Sequence, residues 1–205
     1  PCTDGSLMIS EVNSDVPGGF AEASLIPQIA LNYLESKDYH YTSFGDVLMH
    51  AVKKKVKPKG NIMMVHCTSY TDDRQVMQYF GDALEKEGFI VLYGAADHVV
   101  FKNRKATSIL SGYEMELDAI IRFNPIEWVV DIKDSEWHGY FDTTTPSCNH
   151  PVTVLCQSKR FPLIWDALEK EGIDLSTWRK TLPHTTEVKE VKGNKNYLYK
   201  PVWGR

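Results

Sequence analysis

Residues 61–93 constrain the fold most tightly. Residues 61–66 (NIMMVH) form an apolar run of strand length. Asp72 or Asp73 then opens a helical pattern reaching about residue 87, with Val76, Tyr79, Phe80, Ala83 and Leu84 on one face. Gly88 stands where a helix takes its terminal glycine, and residues 89–93 (FIVLY) read as a second buried strand. Strand, helix and strand in so short a span demand a crossover connection in a parallel sheet. The centre of the chain is therefore expected to be a Rossmann-like α/β unit.

The flanks are less regular. Residues 7–12 read as a short strand, followed by a Pro17-Gly18-Gly19 turn. A helix is expected over 20–37, with Leu25, Ile29, Leu31 and Leu34 at helical spacing and Pro27 bending or delaying it. A second helix is expected over 44–56, capped by Thr42 or Ser43. Lysines crowd residues 53–59, which read as a solvated helix end. Residues 99–101 and 108–110 suggest short strands around a turn, 118–123 (DAIIRF) a further sheet strand, and Asn124-Pro125 the start of a helical segment through Val130. A helix is expected over 159–171, ended by Gly172. Residues 186–200 alternate around Gly193-Asn194 and predict a β-hairpin. The boundary between the α/β unit and a following α+β unit is placed near 145–160.

Composition excludes several classes. A net charge of −4 over 205 residues argues against non-specific nucleic-acid binding. No apolar run is long enough to span a bilayer, and no signal-peptide pattern opens the chain, so a cytoplasmic protein is expected. Cys2, Cys67, Cys148 and Cys156 are too sparse for a disulfide framework, and Cys148, His150 and Cys156 lack zinc-finger spacing. His66 and Cys67 are neighbours on a strand, point to opposite faces and make a poor catalytic dyad. The chain opens PCTDG without Met and stops at Gly-Arg, which reads as a fragment. Nothing in the sequence fixes an oligomeric state.

Five places are candidates for chemistry. Glu11 and Asn13, two apart on the expected strand, would share a face and offer two oxygen ligands to a hard cation; a solvent-facing strand end fits equally. Lys200 ends the expected hairpin beside a glycine loop, as a phosphate-holding ammonium or an exposed lysine. Lys159 opens the expected helix, where a cation opposes the helix dipole; that suggests a partner anion, or plain solvation. Residues 66–75 (HCTSYTDDRQ) follow a sheet strand, so Ser69, Thr71 and the helix start are positioned to bind a substrate carboxylate or merely to cap. Arg122, late in residues 118–123, either contacts substrate or pairs with Asp118 or Glu127. No GxxxxGK[ST] loop is present.

Taken in order, EVNSDVP, DAIIRFNPIEWV, QSKR and KPVWGR give a family likeness. The chain resembles the glutathionylspermidine synthase-like ATP-grasp ligases along nearly its whole length. Their motifs E-x-N-(A/S)-D-x-P, an R/K-x-x-P-x-E-W stretch, S-x-K and K-P-x-x-G-R-E-G occur in the same order. The resemblance implies a Rossmann-like pre-ATP-grasp domain with a parallel sheet, plus the beginning of an α+β ATP-grasp domain. It divides the chain into a metal-site strand and helical segment (1–60), the pre-ATP-grasp domain (61–150) and the start of the ATP-grasp domain (151–205). The implied activity is ATP-dependent amide formation between a small-molecule or peptide carboxylate and an amine, through an acyl phosphate, with Mg²⁺. Glu11 and Asn13 match the family's metal ligands, and Lys159, Lys200 and Gly204 its nucleotide-phosphate site. The family's further metal carboxylate and an arginine lie upstream of E-x-N, and its Glu-Gly lies beyond Arg205, so this chain is expected to hold part of an active site and to be inactive alone. The competing expectation is a non-catalytic nucleotide- or peptide-binding module.

Overall fold

The computed structural model describes residues 7–16, 18–34, 40–130 and 137–203. The chain divides into two compact units. One is Asp15–Pro151; the other joins the segment ending at Ser14 to the chain from Val152 onward.

The larger unit opens with α1 (Phe20–Leu31) and α2 (Phe44–Lys55). The expected helix over 20–37 thus ends earlier, and residues 35–39 lie outside the described residues, as does Pro17 of the expected turn. Phe20 anchors α1: its ring meets Phe80 and Phe123 edge-on at 6.3 and 6.2 Å. Ser43 caps α2, its hydroxyl accepting the Asp46 N–H.

β1 (Asn61–His66), α3 (Thr71–Lys86) and β2 (Ile90–Gly94) form the expected crossover. β1 is flanked by parallel neighbours and is buried on both faces, which explains its continuous apolar run. Tyr70, not Asp72 or Asp73, is the N-cap of α3; the two aspartates lie inside the first turn. Met77, Phe80, Gly81 and Leu84 face the sheet. A Cβ at Gly81 would sit 1.9 Å from the Tyr93 hydroxyl and 2.7 Å from Cζ of its ring, so any side chain there forces the Tyr93 ring to shift.

β3 (Val99–Lys102), β4 (Lys105–Ser108) and β5 (Met115–Glu116) make a small antiparallel sheet. The second strand lies earlier than the expected 108–110. Asn103 and Arg104 both take positive φ, +50° and +62°, closing a two-residue turn that pairs Lys102 with Lys105. β6 (Ala119–Phe123), α4 (Ile126–Val130), α5 (Trp137–Asp142) and β7 (Ser147–Cys148) follow. The parallel sheet has the order β2-β1-β6-β7. From β1 the chain crosses by α3 to one side and returns as β6 on the other. The strand order therefore reverses between β1 and β6, where open α/β sheets bind ligands outside the strands' carboxyl ends.

The smaller unit departs most from expectation. Residues 7–14 form no strand; Ile9 N–H donates to the Thr181 carbonyl, and the Lys200 ammonium donates to the Ser10 carbonyl. The expected helix over 159–171 is broken. After α6 (Val154–Gln157) comes a 3₁₀ turn at Phe161–Ile164 with Pro162 in its first positions, then α7 (Trp165–Lys170), ended by Gly172. Lys159 thus lies in the link before the 3₁₀ turn, and the dipole argument for it lapses. α8 (Ser176–Thr181) and α9 (Val188–Val191) complete the unit. The expected hairpin over 186–200 is absent. The Tyr199 hydroxyl donates to the Val191 carbonyl and accepts the Gly193 N–H, so a side chain closes this loop in place of a strand ladder.

Candidate functional site

In the smaller unit three distant stretches meet at one carboxylate. Lys159 Nζ donates to Glu11 Oε1 at 2.9 Å, and Lys200 Nζ lies 3.7 Å from Oε2. Each carboxylate oxygen therefore faces its own ammonium. Backbone bonds hold the arrangement: Lys159 N–H donates to the Val202 carbonyl, Lys200 donates to Ser10 O at 2.9 Å, and Ser14 Oγ donates to Thr153 O. The hydrogen bond from Lys159, and then its charge, hold the Glu11 carboxyl below its ordinary value of 4.5. Asn13 is exposed two residues further on.

The chemistry of this donor set suits a hard cation beside phosphate. A carboxylate and an amide oxygen are the ligands Mg²⁺ selects, and it completes its shell with phosphate oxygens and water. Among the described residues, no group of three or more His, Cys, Asp or Glu side chains gathers as a metal centre, at this site or elsewhere. Two ammonium groups beside the carboxylate fit the phosphates. The structure brings Glu11, Lys159 and Lys200 together; Gly204 lies outside the described residues.

In the larger unit, Ser69 is exposed in the loop after β1, and Thr71 is the exposed first residue of α3, whose N-cap makes no side-chain hydrogen bond. Arg122 requires a correction. Its side chain is wholly buried and pairs with Asp15, not with Asp118 or Glu127. Nη1 bonds Asp15 Oδ2 and the Asn124 carbonyl, Nη2 bonds Oδ1, and the Ile126 N–H donates to the same carboxylate at 2.9 Å. A guanidinium engaged in this way is removed from the substrate candidates. Asp118 instead accepts from Asn61 N–H and pairs with Lys57. Asp15, two residues after Asn13, is thus a buried structural residue, and its partner lies 107 residues away.

His66 ends β1 on the face of Ile62 and Met64. It is 1% exposed, and neither ring nitrogen has a hydrogen-bond partner among the described residues. Burial above all pushes its pKa below 6.5, and the Arg74 charge adds to this, while the Cys67 backbone and Asp73 act the other way.

A four-stranded parallel sheet with an order reversal, joined through α3, defines the class: an open α/β protein. The family is more particular. The model of the glutathionylspermidine synthase preATP-grasp family matches residues 2–205, and the chain belongs to that family, a family of ATP-grasp ligases. No curated protein matches the chain. Among the described residues, no helix is long and apolar enough to cross a membrane.

Proposed function

We propose that this chain carries part of the active site of an ATP-dependent carboxylate–amine ligase. One observation carries the reading. Lys159 and Lys200 converge on Glu11 from far along the chain, at 2.9 and 3.7 Å. Bound ATP would supply a γ-phosphoryl group, to which the substrate carboxylate oxygen adds as ADP departs. The amine nitrogen then attacks the acyl carbon, phosphate leaves, and the nitrogen loses a proton. Catalysis of this kind depends on positioning and charge neutralisation more than on covalent help.

In that scheme Glu11 and Asn13 would hold Mg²⁺, and Lys159 and Lys200 would hold phosphate oxygens. The glycine of KPVWGR, Gly204, belongs to the same nucleotide-binding proposal. Ser69, Thr71 and the N-terminus of α3 are proposed to receive the substrate carboxylate, since a helix start presents backbone N–H groups. Membership of the glutathionylspermidine synthase preATP-grasp family supports the reading of an ATP-dependent ligase.

Calorimetry on the full-length protein tests the reading. Tight ATP binding that requires Mg²⁺ and weakens in Glu11→Ala is expected. Absence of binding in both well-folded proteins would leave Glu11 and its lysines as a structural cluster.

A further inference from the structure

We propose that Glu11 acts as a charge gate that makes nucleotide binding conditional on the divalent cation. The proposal rests on reading Glu11, Lys159 and Lys200 as the phosphate site. Both lysines are engaged by the carboxylate, one at each oxygen. Their side chains are 16% and 29% exposed, so solvent screens the pairs only in part. The Lys200 ammonium also donates to the Ser10 carbonyl, and the Lys159 backbone N–H donates to Val202, so both side chains start from fixed points beside the carboxylate. Phosphates then meet the ammonium groups beside Glu11.

The two nucleotide forms then differ sharply. A metal-free triphosphate brings only negative charge. To reach the lysines it must displace Glu11 from both, and it leaves that carboxylate facing phosphate oxygens of like sign. A triphosphate carrying Mg²⁺ brings a new partner for the carboxylate. Two lysine–carboxylate contacts become two lysine–phosphate contacts and one carboxylate–cation contact, and no anion is stranded. Asn13 adds a neutral oxygen to the cation without adding repulsion. The gate is therefore a swap of partners, complete only when metal and phosphate arrive together. Cells hold metal-free and metal-bound nucleotide side by side, and such a gate excludes the unproductive form.

Glu11→Gln separates the two roles of the residue. The glutamine keeps the shape and an acceptor oxygen but releases the lysines' charge. A non-hydrolysable ATP analogue is titrated into full-length protein by calorimetry, once with Mg²⁺ and once with EDTA. In EDTA, Glu11→Gln is expected to bind roughly tenfold tighter than the unmodified protein. The gain from adding Mg²⁺ is expected to shrink in the variant. The double variant Glu11→Gln/Lys159→Met is expected to lose the EDTA gain, which ties it to the freed lysine. Circular dichroism confirms that each variant is folded.

If Glu11→Gln gains nothing in EDTA while the unmodified protein binds with Mg²⁺, the gate is overturned and the nucleotide site stands. A gain that persists in the double variant also overturns it. If the unmodified protein fails to bind with Mg²⁺, the nucleotide reading falls and the gate with it.

Discussion

Two acid–base clusters begin within four residues of each other in sequence and behave as opposites. Asp15 and Arg122, in the larger unit, are fully buried, bidentate and backed by the Ile126 N–H. Glu11, Lys159 and Lys200, in the smaller unit, are partly exposed and hold one carboxylate between two single-point ammonium contacts. Charge type is the same; burial and geometry are not. A buried guanidinium–carboxylate fork has no alternative partner, because leaving it would strand a charge away from water. A partly exposed lysine loses little by exchanging one anion for another. The first arrangement fixes a fold, and the second is suited to trading ligands.

Breaking the buried pair gives the largest effect. Arg122→Met leaves Asp15 without its cation and should destabilise the protein by about 3–5 kcal/mol, read as a fall in the urea midpoint. Adding Asp15→Leu should recover much of that loss, since the cost lies in the stranded charge. If Arg122→Met were neutral, the contrast between the clusters would fail. Gly81→Ala comes next. Its methyl would press the Tyr93 ring, so about 1–3 kcal/mol should be lost, and Gly81→Ala in a Tyr93→Phe background should lose less because the nearest atom, the hydroxyl, is gone. By contrast, Glu11→Gln should lower the urea midpoint at pH 7 far less than Arg122→Met does, while altering nucleotide binding.

The same division explains what the sequence made legible. β1, α3 and β2 could be read because their apolar spacing, the terminal glycine and their burial all express local periodicity. The Ser43 cap was equally local. β7 and α5 escaped notice, being a two-residue strand and a six-residue helix in an aromatic, turn-rich stretch. Residues 7–14 and 186–200 misled because strand-like alternation there has no ladder to join; their bonds come from Thr181, Lys200 and the Tyr199 hydroxyl. Motif order was enough to bring Glu11, Lys159 and Lys200 together. It could not show that Arg122 belongs to Asp15, 107 residues away, because no local pattern encodes that partner.

Acid titration sharpens the comparison with smaller effects. His66 is held neutral by burial, its pKa below 6.5. The unfolded chain binds its proton first, so the stability His66 contributes is present above pH 6.5 and is lost as pH falls through the lower folded value. His66→Phe should remove that part of the acid sensitivity. A stability curve unchanged between the unmodified protein and His66→Phe across this window would show that the imidazole finds a proton-accepting partner when folded.

The Glu11 cluster should give the smallest signal, and at lower pH. Its carboxyl lies below 4.5, first because Lys159 donates to it. The unfolded chain again binds the proton more readily, so the contribution is present above pH 4.5 and is lost as pH falls through the depressed value. Partial exposure makes it small and sensitive to salt, since mobile ions screen such a pair while leaving the buried Asp15–Arg122 fork largely untouched. Carbon NMR of the Glu11 carboxyl reads the effect directly. Lys159→Met should return its midpoint toward 4.5, and added salt should do the same in the unmodified protein. A midpoint indifferent to both would mean the lysine does not hold the carboxylate in solution, and the exchange of partners at this site would lose its starting point.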